Sequence, residues 1–187
     1  MPNALPIVKE PHPVLRKKAR DIPVSDIKSK KIQDLIADMK VTLKGTSDGV
    51  GLAAPQVGES LRLFIISDEA EEIDRAETAR RKSKEEPSPD TIKPYPLRDW
   101  RYHVFINPQV RTGSRKKIDG PEGCLSVPGV FGAIKRQEKI TVQALDENRK
   151  KFMRGESRFF ARVMQHELDH LEGILFIDHA THLTKTG

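Results

Sequence analysis

The chain has a single cysteine in 187 residues. One thiol cannot close an intramolecular disulfide, so no disulfide framework holds this fold together. Long apolar runs are missing too. Nothing approaches the roughly 20 apolar residues that cross a bilayer as a helix, and no membrane partner is expected. Aromatic residues make up only 5%. The basic residues lie in scattered clusters (Arg16-Lys17-Lys18, Arg80-Arg81-Lys82, Arg115-Lys116-Lys117), not in a block interleaved with aromatics. The net charge of +6 therefore reads as solvated surface, and no direct nucleic-acid site is expected. The N-terminal stretch is rich in proline and has no apolar run of a signal peptide, which points to a cytoplasmic protein. No repeat at a solenoid or propeller period is visible.

What is present suffices for one globular domain over residues 1–187, with 36% apolar residues arranged at folding periodicity. Ile32, Leu35, Ile36, Met39 and Leu43 fall on one helical stripe, which predicts a helix from about Ser25 to Lys44. Ser25 would be its N-cap and Gly45 its terminator. Leu61 to Ser67 and Tyr102 to Asn107 read as buried strands. Lys139 to Asp146 alternates and turns through residues 146–149 into Lys151-Phe152. From Ser157 to Glu172 the helical period returns, with Ser157 as N-cap and Gly173 as stop. Residues 68–100 interrupt this regularity. Asp68 to Asp90 is almost wholly polar, and Pro87, Pro89, Pro94 and Pro96 follow. The segment reads as a solvated insertion loop with a short helix through Ile73 to Arg80.

The strongest chemical signal is His166-Glu167-Leu168-Asp169-His170 on the last helix. Histidines at i and i+4 project one above the other, so both imidazoles can reach one metal ion. Phe159, Val163, His166 and His170 form one stripe, and Phe160, Met164, Glu167 and Leu171 the adjacent one. The helix thus turns two His and a Glu toward its apolar side. Burying an unpaired carboxylate there costs several kcal/mol, and a divalent cation compensates all three groups at once. Two His leave the site incomplete. In the longer motif HExxHxxGxxH, Gly173 matches, but Phe176 stands where the third His belongs. The remaining ligand candidates are His12, His103, His179, His182, Asp178 and Cys124. A thiolate is preferred, because metal binding deprotonates Cys and a Cys/His/His set leaves one position open for water.

Three segments carry a resemblance. Gly49-Val50-Gly51-Leu52-Ala53-Ala54-Pro55-Gln56, Glu122-Gly123-Cys124-Leu125-Ser126 and Gln165-His166-Glu167-Leu168-Asp169-His170 resemble the three signature motifs of peptide deformylase, in that family's order. Weaker similarity runs from His12-Pro13-Val14-Leu15-Arg16 to about Asp178. The chain departs from the family pattern in the 68–100 segment, at Phe131, at Ile134-Lys135-Arg136 and at Arg158, which stands at a usual glycine position. It also lacks the long C-terminal helix of some subgroups.

The resemblance implies an α+β fold: antiparallel β-sheets packed around a central C-terminal helix carrying HExxH, plus an N-terminal helix. It implies removal of the formyl group from N-formylmethionyl nascent peptides, with release of formate and a transient association with the ribosome. The metal ligands would be Cys124, His166 and His170. The ion would be Fe(II) as the native cofactor, with Zn(II), Ni(II) or Co(II) as alternatives. Glu167 would take a proton from the attacking water and return it to the leaving amine. The Gln56 amide and the Leu125 backbone N–H would stabilise the oxyanion, and Val50, Gly51 and Gly123 would hold the peptide backbone.

Overall fold

The computed structural model describes residues 1–83 and 100–185. Among the described residues, three α-helices and eight β-strands succeed one another with several short 3₁₀ turns between them. Helix α1 spans Lys30–Lys44. The apolar stripe read from the sequence is its buried face, but the cap lies one turn later than expected. Residues Val24–Lys28 form a separate 3₁₀ turn, and the Ser29 side chain, not that of Ser25, accepts the Ile32 N–H.

Strands β1 (Gly51–Ala53), β2 (Leu63–Ser67), β3 (Tyr102–Gly113), β6 (Lys139–Leu145) and β7 (Lys151–Ser157) form an antiparallel sheet in the order β1-β2-β3-β6-β7. Alternate residues of β2 serve two cores. Phe64 and Ile66 join Phe105, Phe160 and Met164 on one face, while Leu63 and Ile65 join Ile36, Met39, Val104 and Ile106 on the other. A strand buried on both faces reads as an unbroken apolar run, as this one does. Strand β3 runs past the expected end at Asn107-Pro108. Its pairing with β6 shifts register there, and the Asn107 side chain bonds the Ile22 backbone N–H and C=O at 2.8 and 2.7 Å. The bulge lets a proline sit inside a strand.

A second sheet, in the order β4-β5-β8, agrees with the plural sheets that the resemblance implied, although none of its strands was read from periodicity: β4 is Lys117–Cys124, β5 Val127–Gln137 and β8 Thr181–Lys185. Glycine and proline punctuate β4 and β5 and hide their strand character. Pro121 is tolerated because β4 is an edge, where a missing N–H breaks no ladder bond. Helix α3 (Arg158–Leu171) packs between the two sheets, and α1 covers the far face of the larger one.

Helix α2 spans Glu69–Ser83, longer than the 73–80 expected and not merely solvated. Ala70 is fully buried. Asp74 accepts the Phe159 N–H at 2.9 Å, Arg154 donates to Glu71 at 2.5 Å and Arg158 donates to Thr78. Polar bonds of this kind leave no apolar stripe to read in the sequence. Arg158 itself has φ of 52°, the left-handed region, which costs a non-glycine residue about 1 kcal/mol. The rest of the expected insertion loop, including Pro87, Pro89, Pro94 and Pro96, lies outside the described residues.

Candidate metal centre and its cleft

Helix α3 presents His166 and His170 one turn apart, with ring centroids 5.0 Å from each other. The turn between β4 and β5 brings Cys124 to them from the smaller sheet. One donor atom from each of Cys124, His166 and His170 lies within 4.8 Å of the others, and Cys124 Sγ is 3.3 Å from His170 Nε2. The residues fit a divalent cation in a second way. Glu167 Oε2, beside these donors, is buried with no hydrogen-bond partner, a condition that costs free energy unless another group compensates it. Burial first, then the charges of His166 and Arg136, hold His170 well below the usual imidazole range. A neutral imidazole is the form that ligates metal.

Two glutamates beside this centre are driven in opposite directions. Glu122 is buried, which alone would raise its pKa, but the His166 hydrogen bond and the Arg136 hydrogen bond and charge outweigh burial and bring it to about 2. Arg136 bonds both its oxygens at 2.9 and 3.0 Å. Arg162 adds a third bond at 3.0 Å and spends its other donors on the carbonyls of Ile118, Gly120 and Ile134. Asp169 accepts from Arg136 at 2.5 Å, so two buried arginines face two carboxylates. The remaining partner of Glu122 is His166 Nδ1 at 2.9 Å. That bond orients the ring and leaves Nε2 available to a cation.

Glu167 has no such support. Burial, reinforced by the Glu122 charge, raises it to about 7 despite the opposing charge of His166. Its carboxylate lies directly against the β1 backbone, where a Cβ on Gly51 would collide with Oε1. Only glycine allows that approach.

Gln56 lies in the 3₁₀ turn Ala54–Val57 after β1 and is buried. Its Oε1 accepts the Ala53 N–H at 2.8 Å, so its NH₂ end is the one turned toward Cys124 Sγ (3.5 Å) and Ser126 Oγ (3.4 Å). The Ser126 N–H also points at Cys124 Sγ, at 3.4 Å. A cleft of about 350 Å³ brings Val50, Gly51, Gln56, Gly123, Cys124, Leu125, His166 and Glu167 into one lining. His170 lies behind it, 1% exposed. All nine residues singled out in the sequence therefore meet in one place.

Sequence reasoning gave no role to Glu122, Ser126, Arg136, Arg162 or Asp169. A usable signal existed for Glu122, since positions i and i+2 of a strand share a face and Glu122 precedes Cys124 by two. The arginines carried none. A second cluster, Asp68, Glu71 and His103, also gathers donor atoms within 4.8 Å, but Arg154 already donates to Glu71 and His103 Nε2 lies 2.7 Å from Asp68. Glu71 is thus already paired, Asp68 Oδ1 is buried with no hydrogen-bond partner, and the cluster joins α2 to β3.

Comparison with known proteins gives one answer. Residues 4–186 match the family model for polypeptide deformylase. The chain is 41% identical over 185 residues to a peptide deformylase of Christiangramia forsetii, covering 97% of this chain and 84% of that protein. It is 38% identical to chloroplastic peptide deformylase 1A of Solanum lycopersicum, covering 94% of this chain and 60% of that longer one. Among solved structures it is similar to the class I type b peptide deformylase of Acinetobacter baumannii with Met-Ala-Ser bound. There the TM-score is 0.75 at 31% identity, over 96% of this chain and 99% of that one.

Proposed function

The chain belongs to the polypeptide deformylase family, and from that premise we propose that it removes the formyl group from the N-terminal methionine of nascent polypeptides by metal-dependent hydrolysis, releasing formate. The reading rests on one observation: the donor atoms of Cys124, His166 and His170 converge beside the buried Glu167.

Cys124, His166 and His170 would hold the cation, Fe(II) in the native enzyme, with Zn(II), Ni(II) or Co(II) able to take the same donors. Bound there, the ion would acidify a water molecule and polarise the formyl carbonyl. Every remaining step belongs to the chain's own groups. Glu167, poised near neutrality, takes the proton of the attacking water and delivers it to the departing amine. The Gln56 amide and the Leu125 N–H donate to the formyl oxygen as it gains charge, each such donor being worth about 3 kcal/mol of barrier.

Val50, Gly51 and Gly123 pair with an extended peptide backbone. Phe159 and Val163, which line the cleft, receive the methionine side chain. The Met-Ala-Ser bound by the Acinetobacter baumannii neighbour supports a peptide that begins with methionine as the ligand. The substrate arises at the ribosome, so transient association with it in the cytoplasm is part of the proposal.

The test is formate release from formyl-Met-Ala-Ser by anaerobically purified protein, with metal determined on the same sample. Turnover that tracks metal content is expected, and a fully loaded protein without formate release would overturn the reading. Glu167→Gln is expected to keep its metal and lose about 10² to 10⁴ in kcat. Near-normal turnover would remove Glu167 from the mechanism.

A further inference from the structure

Six large hydrophobic side chains are exposed among the described residues: Met1, Val24, Val110, Phe131, Met153 and Leu183. Of these only Phe131 lines the cleft. It lies on β5 directly opposite Gly123 of β4, and its ring occupies the space above that glycine. A Cβ added to Gly123 would lie 2.7 Å from Phe131 Cε1. Gly123 adjoins Cys124, so the ring stands one residue from the proposed metal ligand while remaining 43% exposed.

An extended peptide sends successive side chains to opposite sides. If the first enters the closed side of the cleft, walled by Val163 (7% exposed) and Arg162 (6%), the second emerges on the open side. The polar rim residues there do not compete for an apolar group. Lys9 is tied to the Leu125 carbonyl at 2.6 Å, and Asp48 is exposed. Phe131, flanked by half-buried Val127 and Val130, is the apolar surface available to it.

We infer that Phe131 is a specificity-determining residue that selects substrates with a large apolar side chain immediately after the formylmethionine. The inference rests on the deformylase reading and adds the second position to it. Contact with an aromatic face favours such substrates by roughly threefold to tenfold in kcat/KM, expressed in KM because the contact is the same before and during reaction.

The experiment measures formate release from formyl-Met-Xaa-Ser with Xaa as Ala, Leu, Phe or Asp, using wild-type protein, Phe131→Ala and Phe131→Arg. Wild type is expected to prefer Leu and Phe over Ala, and Phe131→Ala to bring those ratios near one. Phe131→Arg is expected to move the preference to Asp. Equal kcat/KM for Leu and Ala in wild type, or a preference that survives in both variants, would overturn the inference and leave the deformylase reading standing. Wild-type protein that releases formate from none of the four peptides would bring down both.

Discussion

Helices α1 and α3 cover opposite faces of the larger sheet, and each presents an apolar stripe to it. On α1 the stripe is Ile32, Leu35, Ile36, Met39 and Leu43, and its one buried polar residue, Thr42, bonds the Asp38 carbonyl within the helix and the Leu5 N–H beside it. On α3 the stripe of Phe160, Val163, Met164 and Leu171 also carries Arg162, Glu167 and His170, all buried. Hydrophobic period makes both helices, since burying apolar area is what drives either onto the sheet. Only α3 takes titratable side chains into the interior with it, and other elements must accommodate each of them. Glu122 on β4 meets Arg162, Cys124 meets His170, and Gly51 on β1 makes room for Glu167.

If that distinction holds, the two helices respond differently to substitution. Glu122→Gln leaves two buried arginines without their shared carboxylate, and breaking a buried pair of this kind costs about 3 to 5 kcal/mol. Thermal unfolding should show that loss. Metal titration should show a binding constant weaker by roughly 10- to 100-fold, because a neutral amide, whose single acceptor oxygen is also sought by the arginines, orients His166 less firmly than the carboxylate. A variant of unchanged stability would mean that α3 does not depend on Glu122.

On α1, Met39→Ala should cost roughly 2 to 5 kcal/mol through lost packing. Its kcat per bound metal should stay within about twofold of wild type, because Met39 is not among the residues that line the cleft. A matching loss of kcat would erase the contrast between the helices.

Helix α2 supplies an intermediate case, docked by ion pairs that are half exposed. Burial pushes Glu71 up, yet the Arg154 hydrogen bond and charge, joined by His103, hold it below the ordinary carboxylate range. A carboxyl with a depressed folded pKa stabilises above its unfolded value and loses that contribution as pH falls through the folded one. The melting-temperature gap between wild type and Glu71→Gln should therefore be present at pH 7 and close toward pH 3. The whole effect should stay below about 1 kcal/mol. A gap that widens on acidification would show that another group holds α2.

These cases explain which features were legible before folding. The stripes of α1 and α3, the doubly buried β2 and the His pair follow periods of the chain itself, so a linear reading finds them. The cap of α1 was displaced from Ser25 to Ser29 because both serines precede the stripe and only backbone geometry chooses between them. The smaller sheet stayed hidden behind Gly120, Pro121, Pro128 and Gly129, residues that announce loops until an edge position accommodates them. The family resemblance supplied Gln56, Leu125, Val50, Gly51 and Gly123. Periodicity alone marked none of them.

The sequence by itself determined that a two-histidine helix would face an apolar interior, that one thiol was free to join it, and that no disulfide would help. Those statements depend on residue type and spacing along one segment. Tertiary structure alone decided that Glu122 would sit at about 2 and Glu167 at about 7. Two carboxylates of equal intrinsic chemistry part company because one is met by Arg136, Arg162 and His166 from other elements, while the other is pressed against bare backbone at Gly51. Electrostatic environment is a property of what surrounds a group in space, and residues 40 positions apart become neighbours only when the chain has folded.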